Sequence, residues 1–178
     1  MAKEIEVKVL DVDLEDMEKR LIDIGAELIS KEYQINTLFD TEDKYIEDNL
    51  NSYLRIRETR DLLNEEVRIN LTLKKNIGKE GVRENIEISS HVKNKESMIA
   101  ILKQLGYKIT NEGYKDRISY MYENIRFDLD RWDESTYPYP YMEIEVEKKE
   151  DLDKAIKLLN IHKNQISLKS IMELKEEL

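Results

Sequence analysis

The chain has 178 residues, 39 Asp+Glu against 29 Lys+Arg, and a net charge of −10. That acidic balance excludes wrapping nucleic acid or coating an anionic membrane. With no cysteine and only His91 and His162, a disulfide scaffold, a thiolate or histidine-rich metal site and a cysteine nucleophile are also excluded, and any metal must be held by carboxylates.

Residues 4–8, Glu-Ile-Glu-Val-Lys, alternate apolar and polar with the period of a strand. Asp13 then suits a helix N-cap, Met17, Leu21 and Ile24 follow at helical spacing, and Gly25 suits a terminator. The same series returns 81 residues later as Ile86-Glu87-Ile88, Asn94, Met98, Leu102, Leu105 and Gly106, and Tyr33 has a counterpart in Tyr114. Two copies of a strand–helix–strands unit predict one pseudo-symmetric domain over 1–178, not a solenoid. Between the copies, strands at 52–60 and 65–75 flank a loop at 61–64. A turn at 76–81 leads into a strand at 82–90. Strands at 114–122 and 125–131 flank the tight turn Glu123-Asn124, and the Tyr-Pro-Tyr-Pro run at 137–140 reads as a loop. A third copy of the first strand, Glu-Ile-Glu-Val-Glu, stands at 143–147. Helices are predicted at 151–159 and, after a Ser167 cap, at 168–176. Hairpin connections dominate, so the class is α+β with a mainly antiparallel sheet. No apolar run approaches a membrane span, and the charged N-terminus is not a signal peptide, so a soluble, cytoplasmic protein is expected.

The polar faces of these strands are unusual. The first gives Glu4, Glu6 and Lys8; the next give Tyr53, Arg55 and Arg57, then Arg68, Asn70, Thr72 and Lys74. Later strands give Arg83, Asn85 and Glu87, then Arg126, Asp128 and Asp130, then Glu143, Glu145 and Glu147. A solvated face usually mixes in Ser, Thr and Gln; this one carries full charges of both signs. About eight strands with helices on the apolar face would curl and close, placing the charges inside a barrel. Such an interior is tolerable only if it is wet and balanced, or filled by a charged ligand. Cations beside glutamates suit phosphates together with Mg²⁺ or Mn²⁺.

The ordered series also resembles a known family. Glu4-x-Glu6-x-Lys8 is followed by Phe39-Asp40, Leu54-Arg55-Ile56-Arg57, Leu71-Thr72-Leu73-Lys74, Arg83 and Glu87. Arg117 in Lys115-Asp116-Arg117, Asp130, Glu143-x-Glu145 and Lys169-Ser170 complete it. This is similar to the CYTH proteins, or triphosphate tunnel metalloenzymes, which include class IV adenylyl cyclases, thiamine triphosphatases and inorganic triphosphatases. Ile171 stands where that family usually has an aromatic residue. The resemblance implies an eight-stranded antiparallel tunnel with helices outside. It implies triphosphate contacts from Lys8, Arg55, Arg57, Lys74, Arg83, Arg117 and Lys169, and metal ligation by Glu4, Glu6, Glu143 and Glu145. Lys8, Glu87 and Asp130 would take part in catalysis.

Two chemistries use these parts: hydrolysis of inorganic triphosphate, ATP or thiamine triphosphate, and cyclisation of ATP to cyclic AMP and pyrophosphate. The intact Glu143/Glu145 pair and a chain that starts almost at Glu4 favour hydrolysis. A non-catalytic triphosphate or polyphosphate binding module is a third reading, and a homodimer is left open. His91 and His162 read as surface residues, Trp132 and the ten tyrosines as packing.

Overall fold

Alternation with period two leaves each strand one apolar and one charged face, and the only way to bury the first while enclosing the second is to roll the sheet up. The computed structural model, which describes residues 2–78 and 83–178, shows this closure. The strands are β1 (Ala2–Val9), β2 (Glu27–Asp40), β3 (Ser52–Asp61), β4 (Val67–Asn76), β5 (Arg83–His91), β6 (Lys108–Tyr122), β7 (Ile125–Trp132) and β8 (Tyr141–Val146). They pair antiparallel in the order β5-β4-β3-β2-β6-β7-β8-β1, and β5 pairs with β1 to close the barrel. A short ninth strand, β9 (Ile166–Ser167), lies against Lys8 and Val9.

Helices α1 (Leu14–Asp23) and α3 (Lys95–Gln104) are the repeated pair. Asp13 and Asn94 cap them, accepting from the amides of Asp16 and Ser97 at 3.0 and 2.7 Å. Gly25 and Gly106 end them with φ of 83° and 94°, where a side chain would be strained. Met17 and Leu21 of α1 pack with α4 (Lys149–Leu158) on the outer faces of β1, β7 and β8, through Ile5, Val7, Phe127, Leu129 and Ile144. The α3 residues Met98 and Leu102 cover Phe39, Leu54, Ile56 and Leu71 on the other half of the wall.

Two helical expectations need correction. Residues 45–50 form a helix, α2 (Tyr45–Leu50), that no periodicity announces. Its cap is remote: the Asp40 carboxylate at the end of β2 accepts from the amides of Ile46 and Glu47 at 2.9 and 3.0 Å. The last helix, α5, runs only over Ile171–Glu176, because Ser170 and not Ser167 forms the capping box, with Glu173. The strand expected at 82–90 is β5 from Arg83 onward; Val82 and much of the turn at 76–81 lie outside the described residues. Among the described residues no helix is long and apolar enough to cross a membrane.

The internal repeat is built into the strand pairing. Residues 81 apart face each other twice, Gln34 opposite Lys115 and Glu4 opposite Asn85, so a pseudo-two-fold axis crosses the barrel through both points. Followed around the barrel, the registers match step by step. Asn36 pairs with Arg57 as Arg117 pairs with Asp130, and Arg55 pairs with Thr72 as Asp128 pairs with Glu143. Tyr53 pairs with Lys74 as Arg126 pairs with Glu145. Arg55, Arg57 and Lys74 in one half therefore occupy the positions of Asp128, Asp130 and Glu145 in the other.

Candidate triphosphate tunnel

The barrel encloses a cavity of about 430 Å³. Strand parity brings Glu4, Glu6, Lys8, Arg55, Arg57, Lys74, Arg83, Glu87, Arg117, Glu143 and Glu145 to its wall, from six different strands. Although the chain carries −10, the lining is balanced, with eight cations and eight carboxylates.

Most of these charges are neutralised locally. Lys74 Nζ lies 2.9 Å from Glu6, 3.2 Å from Glu4 and 3.9 Å from Glu87. Burial works against its charge, but Tyr53, Glu6 and Glu4 outweigh burial and raise its pKa. Lys8 pairs with Glu143 at 3.2 Å. Arg117 spreads its guanidinium over Asp130 at 2.7 and 2.6 Å, Asp128 at 2.6 Å and Glu143 at 2.6 Å. Burial opposes the charges of Glu6 and Glu143 too; Lys74 and Lys8 hold Glu6 below the usual carboxylate range, and Lys8 and Arg117 hold Glu143 well below it.

Arg55 and Arg57 differ from the rest: among the described residues neither forms an ion pair. Arg57 Nε donates to Asn36 Oδ1 at 2.8 Å, and burial with the charges of Arg55 and Arg117 lowers its pKa to about 10. Four buried donors on the wall have no hydrogen-bond partner: Arg55 Nε, Arg83 Nε, Asn36 Nδ2 and Asn85 Nδ2. The bond from Arg57 fixes which end of the Asn36 amide is left open. A buried donor without an acceptor is costly, and among the wall residues every unpartnered buried atom is a donor.

Glu145 shows the opposite strain. Burial, and then the charge of Glu4, push its pKa up to about 7. Among the described residues no three carboxylates are gathered into a ready-made metal site. What is present is an all-oxygen set that includes two mutually repelling carboxylates, Glu4 and Glu145. That fits Mg²⁺ or Mn²⁺, which take one or two protein carboxylates and complete their shells with water and phosphate oxygens.

Two residues of the sequence series stand elsewhere. Asp130 is on the inner face of β7 but fully buried beneath Arg117 and Lys115, holding Arg117 and, at 2.9 Å, Lys115. Lys169 is not on the wall; it is half exposed and paired with Glu177 on the outer side of α5. Conversely, Lys115, Asn36 and Arg126 line the cavity without having been singled out as ligands. Lys115 is two residues from Arg117 on the same strand face, the spacing that could have drawn attention to it.

The mouth where α2 and α5 approach is different in kind. Leu38, Tyr53, Asn111, Trp132, Thr136 and Met172 line it, and among the described residues its only charges are the carboxylates of Glu47, Glu173 and Glu176, which α2 and α5 bring to the rim. Ile171 and Leu174 seat α5 on Tyr137, Tyr141 and Trp132, and the charge of Glu176 reaches Lys44 just before α2.

The CYTH domain profile matches residues 2–171. The chain belongs to the CYTH family. No curated protein matches it in sequence. Among solved structures it is similar to the PH1819 protein of Pyrococcus horikoshii OT3, with a TM-score of 0.81, 22% identity and 98% of each chain covered. The PH1012 protein of the same organism gives 0.78 and 24%, with 96% of this chain and 98% of that one covered. HpAC1 from Hippeastrum gives 0.65 and 18%, covering 90% and 89%. HpAC1 is described as an adenylyl cyclase candidate with a dominant triphosphatase activity. At these identities the likeness establishes the shared barrel.

Proposed function

We propose that this CYTH protein is a divalent-cation-dependent triphosphatase. One observation carries the reading: the enclosed wall presents buried donors and two arginines without acceptors, and an oxyanion-rich guest would satisfy them all. Arg55 and Arg57 take phosphate oxygens with their forked guanidinium groups, and Lys8, Lys74, Arg83 and Arg117 surround the remainder. Asn36 and Asn85 add neutral donors. Glu4 and Glu145, with Glu6 and Glu143 beside them, hold the cation, which when bound neutralises phosphate charge and supplies water to the site.

In this reading a water oxygen bonds to the terminal phosphorus as the bridging phosphorus–oxygen bond breaks. The released diphosphate takes the electron pair, and the arginines stabilise the charge that grows on it. Glu87, only loosely engaged by Lys74 at 3.9 Å, accepts the water's proton. Asp130, buried beneath Arg117 and Lys115, acts by holding both in place. The Hippeastrum relative's triphosphatase activity agrees with this chemistry.

One feature favours cyclisation of ATP instead: the cation-free, partly aromatic mouth around Tyr53, Trp132 and Met172 suits a nucleoside. The deciding assay offers inorganic triphosphate, ATP and thiamine triphosphate separately with Mg²⁺ or Mn²⁺. Phosphate release without cyclic AMP is expected. Cyclic AMP and pyrophosphate from ATP would make the chain a cyclase, and absence of any product would leave only a binding role.

A further inference from the structure

Arg83 bridges the tunnel interior and the strap that leads into α5, close to where β9 pairs with Lys8 of β1. Its Nε lies 3.2 Å from Glu6 Oε1 inside the tunnel, an ion pair whose angle leaves the Nε hydrogen without a hydrogen-bond acceptor. Its Nη1 donates to the Leu168 carbonyl at 3.0 Å and reaches Glu173 at 3.4 Å, so it grips the strap leading into α5 and α5 itself. The side chain is only 10% exposed, whereas the Glu173 side chain is 59% exposed. The firm end of the contact is therefore the tunnel and the Leu168 carbonyl, not the outer ion pair.

We propose that Arg83 is a positioning residue that couples the tunnel to the C-terminal helix, so that an occupied tunnel seats α5 more tightly over its mouth. This rests on the triphosphate reading for its ligand but not for its mechanics. One edge of the planar guanidinium faces Glu6 and the other holds the strap, and a rigid fork transmits a shift at one edge to the other. A phosphate oxygen accepting from Nε fixes the fork and with it the Leu168 contact. Lysine lacks this rigid fork, so its flexible ammonium can keep one contact without passing a shift to the other.

The molecule contains its own reporter. Trp132 is the sole tryptophan and packs in the cluster that receives Ile171 and Leu174. Acrylamide quenching of Trp132 therefore reads the seating of α5, with Leu174→Ala marking the unseated limit. Without ligand, Arg83→Gln is expected to raise the quenching constant about twofold, and Glu173→Gln, which keeps its capping carbonyl, to raise it less. Glu6→Gln is expected to raise it as well, although Glu6 does not touch α5, and the Glu6→Gln/Arg83→Gln double variant to add nothing to Arg83→Gln alone. Inorganic triphosphate with Mg²⁺ lowers quenching in the wild type; in Arg83→Lys it binds without lowering it.

Unchanged quenching in Arg83→Gln alongside weakened triphosphate binding would make Arg83 a ligand only and overturn the coupling. Unchanged quenching in Glu6→Gln would do the same. Should Arg83→Gln not fold, Glu6→Gln and Glu173→Gln decide. If the wild type binds no triphosphate at all, the tunnel's proposed function fails, while the ligand-free comparison still stands or falls by itself.

Discussion

The two halves of the barrel share a backbone plan and carry inverted charge. Where β3 and β4 place Arg55, Arg57 and Lys74, the equivalent positions of β7 and β8 hold Asp128, Asp130 and Glu145. The helices repeat with equivalent caps and glycine terminators, so the outer wall kept the symmetry that the inner wall abandoned. In the acidic half Asp128 and Asp130 are satisfied because they clamp Arg117, and of the three only Glu145, beside Glu4, is left under strain. The basic half leaves Arg55 and Arg57 with no carboxylate partner among the described residues. One half holds the tunnel together, and the other waits for a guest.

The strongest test attacks the satisfied half. Asp130→Asn removes a partner of Arg117 and Lys115 at a fully buried position. Its expected cost is about 3–5 kcal/mol, because buried Lys115 loses its carboxylate partner and buried Arg117 loses one of three; denaturant unfolding measures it. The equivalent change in the open half, Arg57→Gln, should do the reverse. It relieves a guanidinium whose charge burial and Arg55 already disfavour, so stability holds or rises. Meanwhile kcat/KM for the triphosphate falls about 10²–10³-fold, as for loss of one preorganised charge-stabilising donor. If both variants lose stability equally, the division of labour is wrong.

A third test uses pH. Burial, and then Arg117, press the pKa of Lys115 down to about 7; Asp130 and Glu143 oppose this and Arg57 adds to it. Between pH 7 and the ordinary lysine value near 10.4, the unfolded chain holds a proton on Lys115 that the folded chain does not. Stability from this residue therefore rises with pH across that window, and the cost of burying its charge is fully felt below pH 7. Titrating unfolding free energy from pH 7 to 10 in the wild type and in Lys115→Met should show the rise flattened in the variant. The smallest expected effect sharpens the symmetry itself: Asp13→Ala and Asn94→Ala should each cost about 1 kcal/mol. Unequal thermal shifts would mean the two helices no longer serve equivalent roles.

Much of this was legible in the sequence because period-two alternation and an 81-residue repeat are local, countable patterns. Parity alone put Glu4, Glu6, Arg55, Arg57 and Lys74 on one wall. The failures share a cause, which is dependence on distant partners. The helix after β2 is capped by Asp40 from six residues before Ile46, so no N-cap precedes it in the usual place. Lys169 looked like a tunnel residue until Ser170 claimed the capping box and left the lysine beside Glu177. Lys115 reads as one charge among many until the barrel closes and Asp130 is found beneath it. Which donors stay open, and how Arg83 spans tunnel and strap, depends on three-dimensional distances that spacing does not encode.

Closure through β1 also sets a timetable. Of the barrel strands β1 comes first in chain order, yet its partners are β5 and β8, so the segment bearing Glu4, Glu6 and Lys8 has no partner until residue 91 has been made and is zipped in on both edges only after residue 146. Pairing so far apart in sequence makes for slow folding, and until residue 146 has emerged the nascent chain is an open sheet with exposed edges. The dense charge of those strands then has a second use: it keeps the waiting sheet from pairing with its neighbours.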